Sequence, residues 1–494
     1  MRSEVKTFAA SSAPILCFLI GLACVSCKNR KEQGAEAGQP VDAAKILGLA
    51  STAAEAIDHH ELKALTMINI ASVQARAGKN RKALDMLERA MKTAGAIDSD
   101  VEKSSVTAAA AVAYAGAGKH EKGIELAASI SEPQMKAEAL AGIARHLAST
   151  GKKDKALELL SGAIEEINEA GALPRGSTAS LNRTFELGRI RSTIVEALAS
   201  AGRCDQALGQ ADTIANKIQK TFAREAIIRE CAKAGLLEKA LSIAETGELL
   251  PDSKAALILT LAAGFMESGQ KTRTLQLLAE VEEMTPAVLD DNSRSKLLVD
   301  MAGEYAKAGL KEKTTDLLVQ SEKIADTLQN PSIKAVRLAG IAETYHAIGN
   351  SAHLKRLLKR CSKTAMEIEV EGVHISTKAR MAVSFSRAEK AAMALHMLDQ
   401  ALEIARTEPG QKNLPPGAGS ASGQEKALIK FDLKALRIAE VAMRCCQAGF
   451  PDKAVEVADM IDSPYYKATA LAGVASIILD PTLDVDMMIV RLAE

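Results

Sequence analysis

A glycine followed five residues later by a small residue recurs along most of this 494-residue chain. Gly78 and Ala83 are the first such pair, and Gly449 and Ala454 are the last. The pairs recur at a spacing of roughly 33–40 residues, which is the signature of stacked helical hairpins that bury their apolar faces only against their neighbours. Because the chain is also too long for one ordinary core, we expect a repeat array whose core grows in one direction.

The glycine is predicted to close the first helix of each hairpin, because a helix ends readily in a left-handed conformation that glycine adopts at little cost. From Asp42 onward, apolar residues recur at helical spacing with no alternating strand pattern of any length, so the fold is predicted to be all-α. The ninth turn has Glu389 in place of glycine. The predicted turn residues are Gly78, Gly118, Gly151, Gly202, Gly235, Gly269, Gly309, Gly349, Glu389 and Gly449.

Three further positions, counted from the turn residue, support this register. A small residue recurs seven positions before the turn, as at Ala342, and an aromatic or apolar residue recurs four before it, as at Tyr345. Nine positions after the turn comes another apolar residue, as at Leu318 and Leu358, which we expect to be buried between hairpins. Small and large residues at fixed offsets allow the ridges of one helix to mesh with the grooves of the next.

This order of small residue, aromatic residue, turn glycine and second small residue resembles the tetratricopeptide repeat (TPR) family, from Leu62 to Ile461. The segment from Tyr466 to Leu479 resembles one more first helix that would cap the array. The family's early tryptophan is missing and its closing proline is out of register, so an irregular hairpin array of a neighbouring class is the alternative. The resemblance implies an all-α, right-handed superhelical solenoid of stacked antiparallel helical hairpins.

The N-terminus differs from the rest of the chain. Arg2 and Lys6 precede an apolar run from Pro14 to Ser26, which has the layout of an export signal and is short for a membrane span. Its end resembles a bacterial lipoprotein signal, which implies lipidation of Cys27, with Cys24 as the second candidate. An ordinary cleaved signal or an uncleaved anchor are the alternatives. Residues 1–27 are thus predicted to be a lipoprotein signal peptide and residues 28–41 a flexible tether.

Two segments rich in proline and glycine interrupt the repeats, at residues 166–188 and 407–424. Proline and glycine at this density do not continue a helix, so both segments are predicted to be loops. Repeats would then occupy residues 42–165 and 189–406, with a last repeat and a capping helix in residues 425–494. The loops would allow bending between three rigid parts.

Composition and motifs argue against several functions. Lys plus Arg and Asp plus Glu each number 62, so the net basic charge expected of a nucleic-acid-binding protein is missing. Aromatic residues are 3% of the chain and tryptophan is absent, which disfavours stacking platforms for bases. The sequence has no recognisable zinc, phosphate-loop or nucleophile motif. We therefore expect no enzymatic activity, metal site or cofactor.

Two cysteines, Cys204 and Cys231, fall at the same end of adjacent predicted hairpins. A disulfide between them is geometrically conceivable, and export to an oxidising compartment would favour it. Filling of core space is the alternative, because Cys231 occupies the aromatic position of its hairpin.

In a superhelix of this kind the inward groove is lined by first-helix residues six, three and two positions before each turn. The resulting surface is mixed but somewhat basic, so a peptide that carries carboxylates is a reasonable guest. Ordinary solvated charges are the alternative interpretation. The basic candidates for binding are Arg76, Arg145, Arg229, Lys233, Lys307 and Arg387.

Together these features predict a membrane-tethered interaction scaffold of the bacterial cell envelope. It would be lipid-anchored in the inner or outer membrane, face the periplasm, and bind a protein or peptide partner in the concave groove. The alternative is a non-catalytic accessory or substrate-binding module of a cell-wall or polysaccharide-export enzyme complex. Neither a nucleic acid nor a small-molecule cofactor is expected as a partner.

Overall fold

The computed structural model describes residues 42–172, 179–247, 249–408 and 432–493. These residues form helices joined by turns and short loops, with no strand among them. The predicted signal peptide with Cys27, the tether and residues 409–424 of the second predicted loop lie outside the described residues. The division into rigid parts that bend at the loops therefore stays a prediction.

The helices are named in chain order, and the 3-10 helix Thr285–Ala287 follows α13. They are α1 (Ala43–Glu55), α2 (His60–Arg76), α3 (Asn80–Ala94), α4 (Asp100–Gly116), α5 (His120–Ala128), α6 (Pro133–Ser149), α7 (Lys153–Ala172), α8 (Ala179–Ser200), α9 (Cys204–Asp212), α10 (Lys217–Lys233), α11 (Leu237–Thr246), α12 (Pro251–Glu267), α13 (Lys271–Met284), α14 (Asp291–Lys307), α15 (Lys311–Thr327), α16 (Pro331–Ala347), α17 (Ser351–Ala365), α18 (Glu371–Arg387), α19 (Ala391–Thr407), α20 (Leu433–Gln447), α21 (Pro451–Asp459), α22 (Pro464–Leu479) and α23 (Val485–Ala493).

The first predicted loop is shorter than residues 166–188. Helix α7 continues to Ala172 and helix α8 begins at Ala179, so only residues 173–178 separate them, and these lie outside the described residues. Pro174 cannot continue a helix, whereas neighbours such as Glu169 and Ala170 favour one. Helices α7 and α8 therefore extend further into residues 166–188 than the proline and glycine content of that segment predicted.

Every predicted turn residue has a left-handed backbone. The nine glycines have φ between 71° and 86°, and Glu389 has φ 56°. The residue after each turn residue donates its N–H back across the helix end, as from Lys119 to the Tyr114 carbonyl (2.8 Å) and from Lys390 to the Phe385 carbonyl (2.8 Å). These bonds satisfy carbonyls at the end of the first helix, which is the Schellman arrangement. The turn prediction is confirmed at all of these positions, including Glu389.

The two helices of a hairpin meet closely where small residues were predicted. A Cβ atom added to Gly123, five positions after its turn, would lie 2.5 Å from the carbonyl oxygen of Ala111, seven positions before it. At the same two positions of another hairpin, Thr274 Oγ1 donates to the Ala262 carbonyl (3.2 Å). The predicted aromatic and apolar positions are also buried, with Tyr345 0% exposed. The fold is an all-α array of TPR-like hairpins.

The chain forms two compact units. Unit 2 is Leu198–Ala405, and unit 1 contains the described residues up to Ala197 together with those from Arg406 onward. In unit 2 the hairpins α10/α11, α12/α13, α14/α15 and α16/α17 follow one another, and each first helix packs against the next first helix, from α10 to α18.

In unit 1 the order of the hairpins in space differs from their order in the chain. Helix α22 pairs with α1, so one hairpin is made from the two ends of the described chain. Helix α22 also packs against α20 on one side and α2 on the other. The sequence predicted that this helix would cap the array, but it lies inside the stack. It is apolar around its circumference, with Tyr465, Leu471 and Ile477 all buried, and such a helix needs neighbours on every side.

Replacement of Leu318 by Ala is expected to lower the free energy of unfolding by about 2–5 kcal/mol, because the side chain is fully buried in α15 and its loss leaves a cavity. Val319→Ala is the matched control in the same helix, since Val319 is 37% exposed; we expect a change within about 0.5 kcal/mol. Urea unfolding followed by circular dichroism measures both. Equal losses for the two variants would contradict the register.

Candidate interaction surface

The first helices of each unit are stacked side by side and form a continuous surface. In unit 2, α12, α14, α16 and α18 pack side by side, and in unit 1, α22, α2, α4 and α6 do the same. Residues six, three and two positions before each turn therefore recur on neighbouring helices. We call the side chains at these positions the first-helix surface of each unit.

The predicted basic residues of unit 2 are exposed, and each contacts a carboxylate. Their side chains are between 46% and 63% exposed, whereas the carboxylates on the same helices are 14% exposed or less. The pairs within one helix are Arg229 with Glu225 (3.6 Å), Lys233 with Glu230 (2.8 Å) and Lys307 with Glu304 (2.6 Å). Each cation thus reaches solvent, whereas the carboxylate that it contacts on the same helix is largely buried.

Arg387 bridges two first helices. Its Nη1 lies 3.5 Å from Oε1 of Glu343, so it connects α18 to α16. Burial raises the pKa of the Glu343 carboxyl, and the positive charge of Arg387 opposes that rise. His346 and Glu389 connect the same two helices, with 3.7 Å between Nε2 and Oε2. Both contacts link adjacent hairpins and place polar groups on the surface.

In unit 1 the structure gives the predicted binding residue Arg145 a structural role. It is 7% exposed, and its Nη1 donates to Oε2 of Glu196 at 2.9 Å. A second pair joins the same helices in the reverse direction, because Arg189 on α8 donates through both terminal nitrogens to Glu138 on α6 (2.9 and 2.8 Å). Two reciprocal ion pairs therefore clamp α6 to α8.

Arg76 lies where α2 packs against α22. Its Nη2 donates to the Ser476 hydroxyl at 2.8 Å, which connects α2 to α22. Each basic candidate from the sequence therefore has a partner in its own unit. The first-helix surface carries paired charges, and the excess of positive charge suggested by the sequence is balanced by neighbouring acidic residues.

A disulfide joins Cys204 at the start of α9 to Cys231 in α10, with 6.4 Å between the Cα atoms. The bond links adjacent hairpins within unit 2. Cys361, Cys445 and Cys446 are buried, and burial raises the pKa of Cys446 to about 12. A buried thiol with a raised pKa is a poor nucleophile, because the thiolate is the reactive form.

Two cavities that sequence analysis did not predict lie among the helices. One of about 250 Å³ is lined by α1, α2 and α3, and includes the buried Gln74. The other, of about 380 Å³, is lined by α17, α18 and α19, and includes Lys378. Lys378 is 7% exposed. A lysine at a position where the helical pattern predicts burial was therefore the sequence feature that could have indicated this cavity.

The described residues contain no group of three or more His, Cys, Asp or Glu side chains placed to hold a metal ion. Within the same residues, none of the helices combines the length and the apolar character needed to span a bilayer.

Neither a protein-family model nor a curated protein matches the chain. Solved structures of helical repeat proteins are similar to it. A putative kinesin light chain from Podosopora anserina with TPR-like repeats has 21% identity, covers 48% of this chain and 97% of its own, and has a TM-score of 0.26. The quorum sensor NprR from B. thuringiensis has 10% identity, covers 68% and 97%, and has a TM-score of 0.27. The fold assignment rests on the turns and buried positions of this chain, and not on these likenesses.

The buried and the half-exposed cations are expected to differ in their effect on stability. Arg145→Ala should lower the free energy of unfolding by about 3 kcal/mol, because it removes a buried guanidinium that pairs with Glu196 between α6 and α8. Arg229→Ala should change it by less than about 1 kcal/mol, because the Arg229 side chain is half-exposed to solvent. Urea unfolding measures both variants. A loss for Arg229→Ala as large as that for Arg145→Ala would contradict the division into structural and surface residues.

Proposed function

We propose that this chain is a membrane-tethered interaction scaffold of the bacterial cell envelope, which binds a protein or peptide partner through its first-helix surface. The observation that carries the proposal is the row of half-exposed cations, Arg229, Lys233, Lys307 and Arg387, on helices that are packed rigidly side by side. Partners of helical repeats bind along extended surfaces of this kind.

The paired charges define how such a partner would bind. A carboxylate on the partner competes with Glu225, Glu230 or Glu304 for an exposed cation, so one ion pair replaces another. The net gain in free energy from each exchange is small, since exposed pairs contribute little. Charge complementarity of this type chiefly sets specificity and the rate of association. We exclude Arg76 and Arg145 from the proposed binding residues. Arg76 donates to Ser476 between α2 and α22, and Arg145 is buried.

Two features support export and tethering. The N-terminal residues resemble a lipoprotein signal, and the disulfide between Cys204 and Cys231 is typical of an oxidising compartment. With the polar tether of residues 28–41, the repeats would begin close to the membrane surface.

Lipid attachment at Cys27 is tested by substitution at the two candidate cysteines. The full chain should incorporate radiolabelled fatty acid and partition into the detergent phase. Cys27→Ala should abolish both properties, because the thiol that accepts the lipid is lost, whereas the matched variant Cys24→Ala should retain both. Fatty-acid label that persists in Cys27→Ala would contradict the assigned site, and an unlabelled parent chain would contradict lipidation.

Binding through the first-helix surface is tested by placing a photo-crosslinking amino acid at Lys307 in α14. The matched control is Lys311, which is exposed on the second helix α15 of the same hairpin. With the full chain in intact cell envelopes, we expect a discrete protein or peptide adduct from position 307 and none from position 311. Equal adducts from both positions would contradict the proposed surface. Adducts with cell-wall polysaccharide would favour the substrate-binding module instead.

A further inference from the structure

The larger cavity, of about 380 Å³, lies within unit 2 on a face different from the first-helix surface. Two of the three helices that line it, α17 and α19, are second helices, and α18 contributes Lys378. Three methionines line it: Met366 beyond the end of α17, and Met393 and Met397 on one face of α19. A concave site of this volume, mostly apolar with a few polar groups, has the general character of a small-molecule pocket.

Lys378 is the charged group of this cavity. It is 7% exposed, and its Nζ donates to Oε1 of Gln400 at 2.6 Å. The Gln400 amide nitrogen lies 2.9 Å from Nε2 of His396, which also lines the cavity. Among the described residues, Lys378 has no carboxylate within 4.0 Å of its ammonium group. The hydrogen bonds hold the ammonium in place but do not neutralise its charge.

An unpaired buried ammonium is destabilising, because removal from water disfavours the charged form. Burial lowers the pKa of Lys378 accordingly. Burial and, to a lesser extent, the positive charge of Lys378 also lower the pKa of His374, one turn earlier on α18, whose Nε2 is buried without a hydrogen-bond partner. His374 therefore adds no negative charge that would compensate Lys378.

The same unit does compensate a buried charge elsewhere. Glu322 on α15 is 8% exposed, and it contacts Arg356 at 2.7 Å and Arg360, both on the next second helix, α17. Adjacent second helices thus supply opposite charges for a buried carboxylate. The equivalent neighbours of Lys378 supply an amide, an imidazole and thioethers. This difference identifies Lys378 as a group whose counter-charge comes from outside the described chain, which is the pattern of a functional site.

We propose that this cavity binds an aliphatic monocarboxylate, whose carboxylate pairs with Nζ of Lys378 and whose hydrocarbon chain lies against Met366, Met393 and Met397. One ammonium group matches the single negative charge of a carboxylate, whereas a phosphate monoester carries close to two negative charges at neutral pH and would be only partly neutralised here. The unbranched, polarizable methionine side chains adjust to a flexible hydrocarbon chain. The proposal is independent of the first-helix surface and of its partner.

Isothermal titration of the full chain with octanoate tests the proposal. Octan-1-ol is the matched probe with the same chain and no charge. We expect saturable binding of octanoate at one site, and affinity for octan-1-ol lower by about tenfold or more. Octanoate that does not bind saturably, or that binds no better than octan-1-ol, would overturn the proposal. So would preferential binding of a short peptide with a C-terminal leucine, which would indicate a peptide site.

Three variants locate the site. Lys378→Met removes the charge with little change in length and should weaken octanoate binding by about tenfold or more, whereas Lys311→Met, at an exposed lysine of α15, should leave it within about twofold. Ala392→Trp fills the cavity from its exposed rim and should abolish binding. The unfolding midpoint of Lys378→Met should be no lower than that of the parent, because an unpaired buried charge has been removed. Unchanged octanoate binding in Lys378→Met or Ala392→Trp would overturn the assignment, and a lowered midpoint would show that Lys378 has a structural counter-charge.

Discussion

The structure depends on the close approach of the two helices within each hairpin. At the crossing, a small residue five positions after the turn meets the backbone seven positions before it, so closely that a Cβ at Gly123 would clash with the Ala111 carbonyl. Thr274 uses the same proximity to donate a hydrogen bond to Ala262. This approach is possible because the turn residue is left-handed and reverses the chain at once. The narrow hairpins then present flat sides that stack, and the first helices lie side by side in each unit.

Stacking also explains why α1 and α22 meet in unit 1. Each hairpin can bury its sides only against other hairpins, and the helix that follows α22 in the chain, α23, packs mainly against α20 instead of forming a hairpin with α22. Helix α1 has the opposite problem, because no first helix precedes it among the described residues. Their pairing solves both, and Arg76 and Ser476 add a polar contact between α2 and α22. The chain thus gains a hairpin that no continuous stretch of sequence encodes.

The parts of the fold that the sequence predicted are those with a local cause. A left-handed turn follows from a glycine at a helix end, and even Glu389 was found because its flanking positions kept the register. Burial of Leu318 and Leu358 follows from the same spacing. The pairing of α22 with α1 depends on residues distant in the chain, so periodicity did not reveal it. The acidic partners of Arg145 and Arg387 lie on neighbouring first helices, and a list of basic positions alone therefore overstated the positive charge of the surface.

Charge pairing distinguishes the ordinary surfaces of the array from the cavity at Lys378. Along the second helices, an acid three positions after one turn contacts a base four positions after the next, as in Asp205 with Lys239 (2.6 Å) and Glu238 with Arg273 (3.4 Å). Such exposed pairs contribute little free energy individually, but they show that charges on several adjacent hairpins pair with one another. Lys378, on the first helix α18, has no carboxylate partner among the described residues and is buried, where an unpaired charge costs most. Stacking of the hairpins explains the paired charges but not the buried charge of Lys378. The proposed binding of an anion explains it.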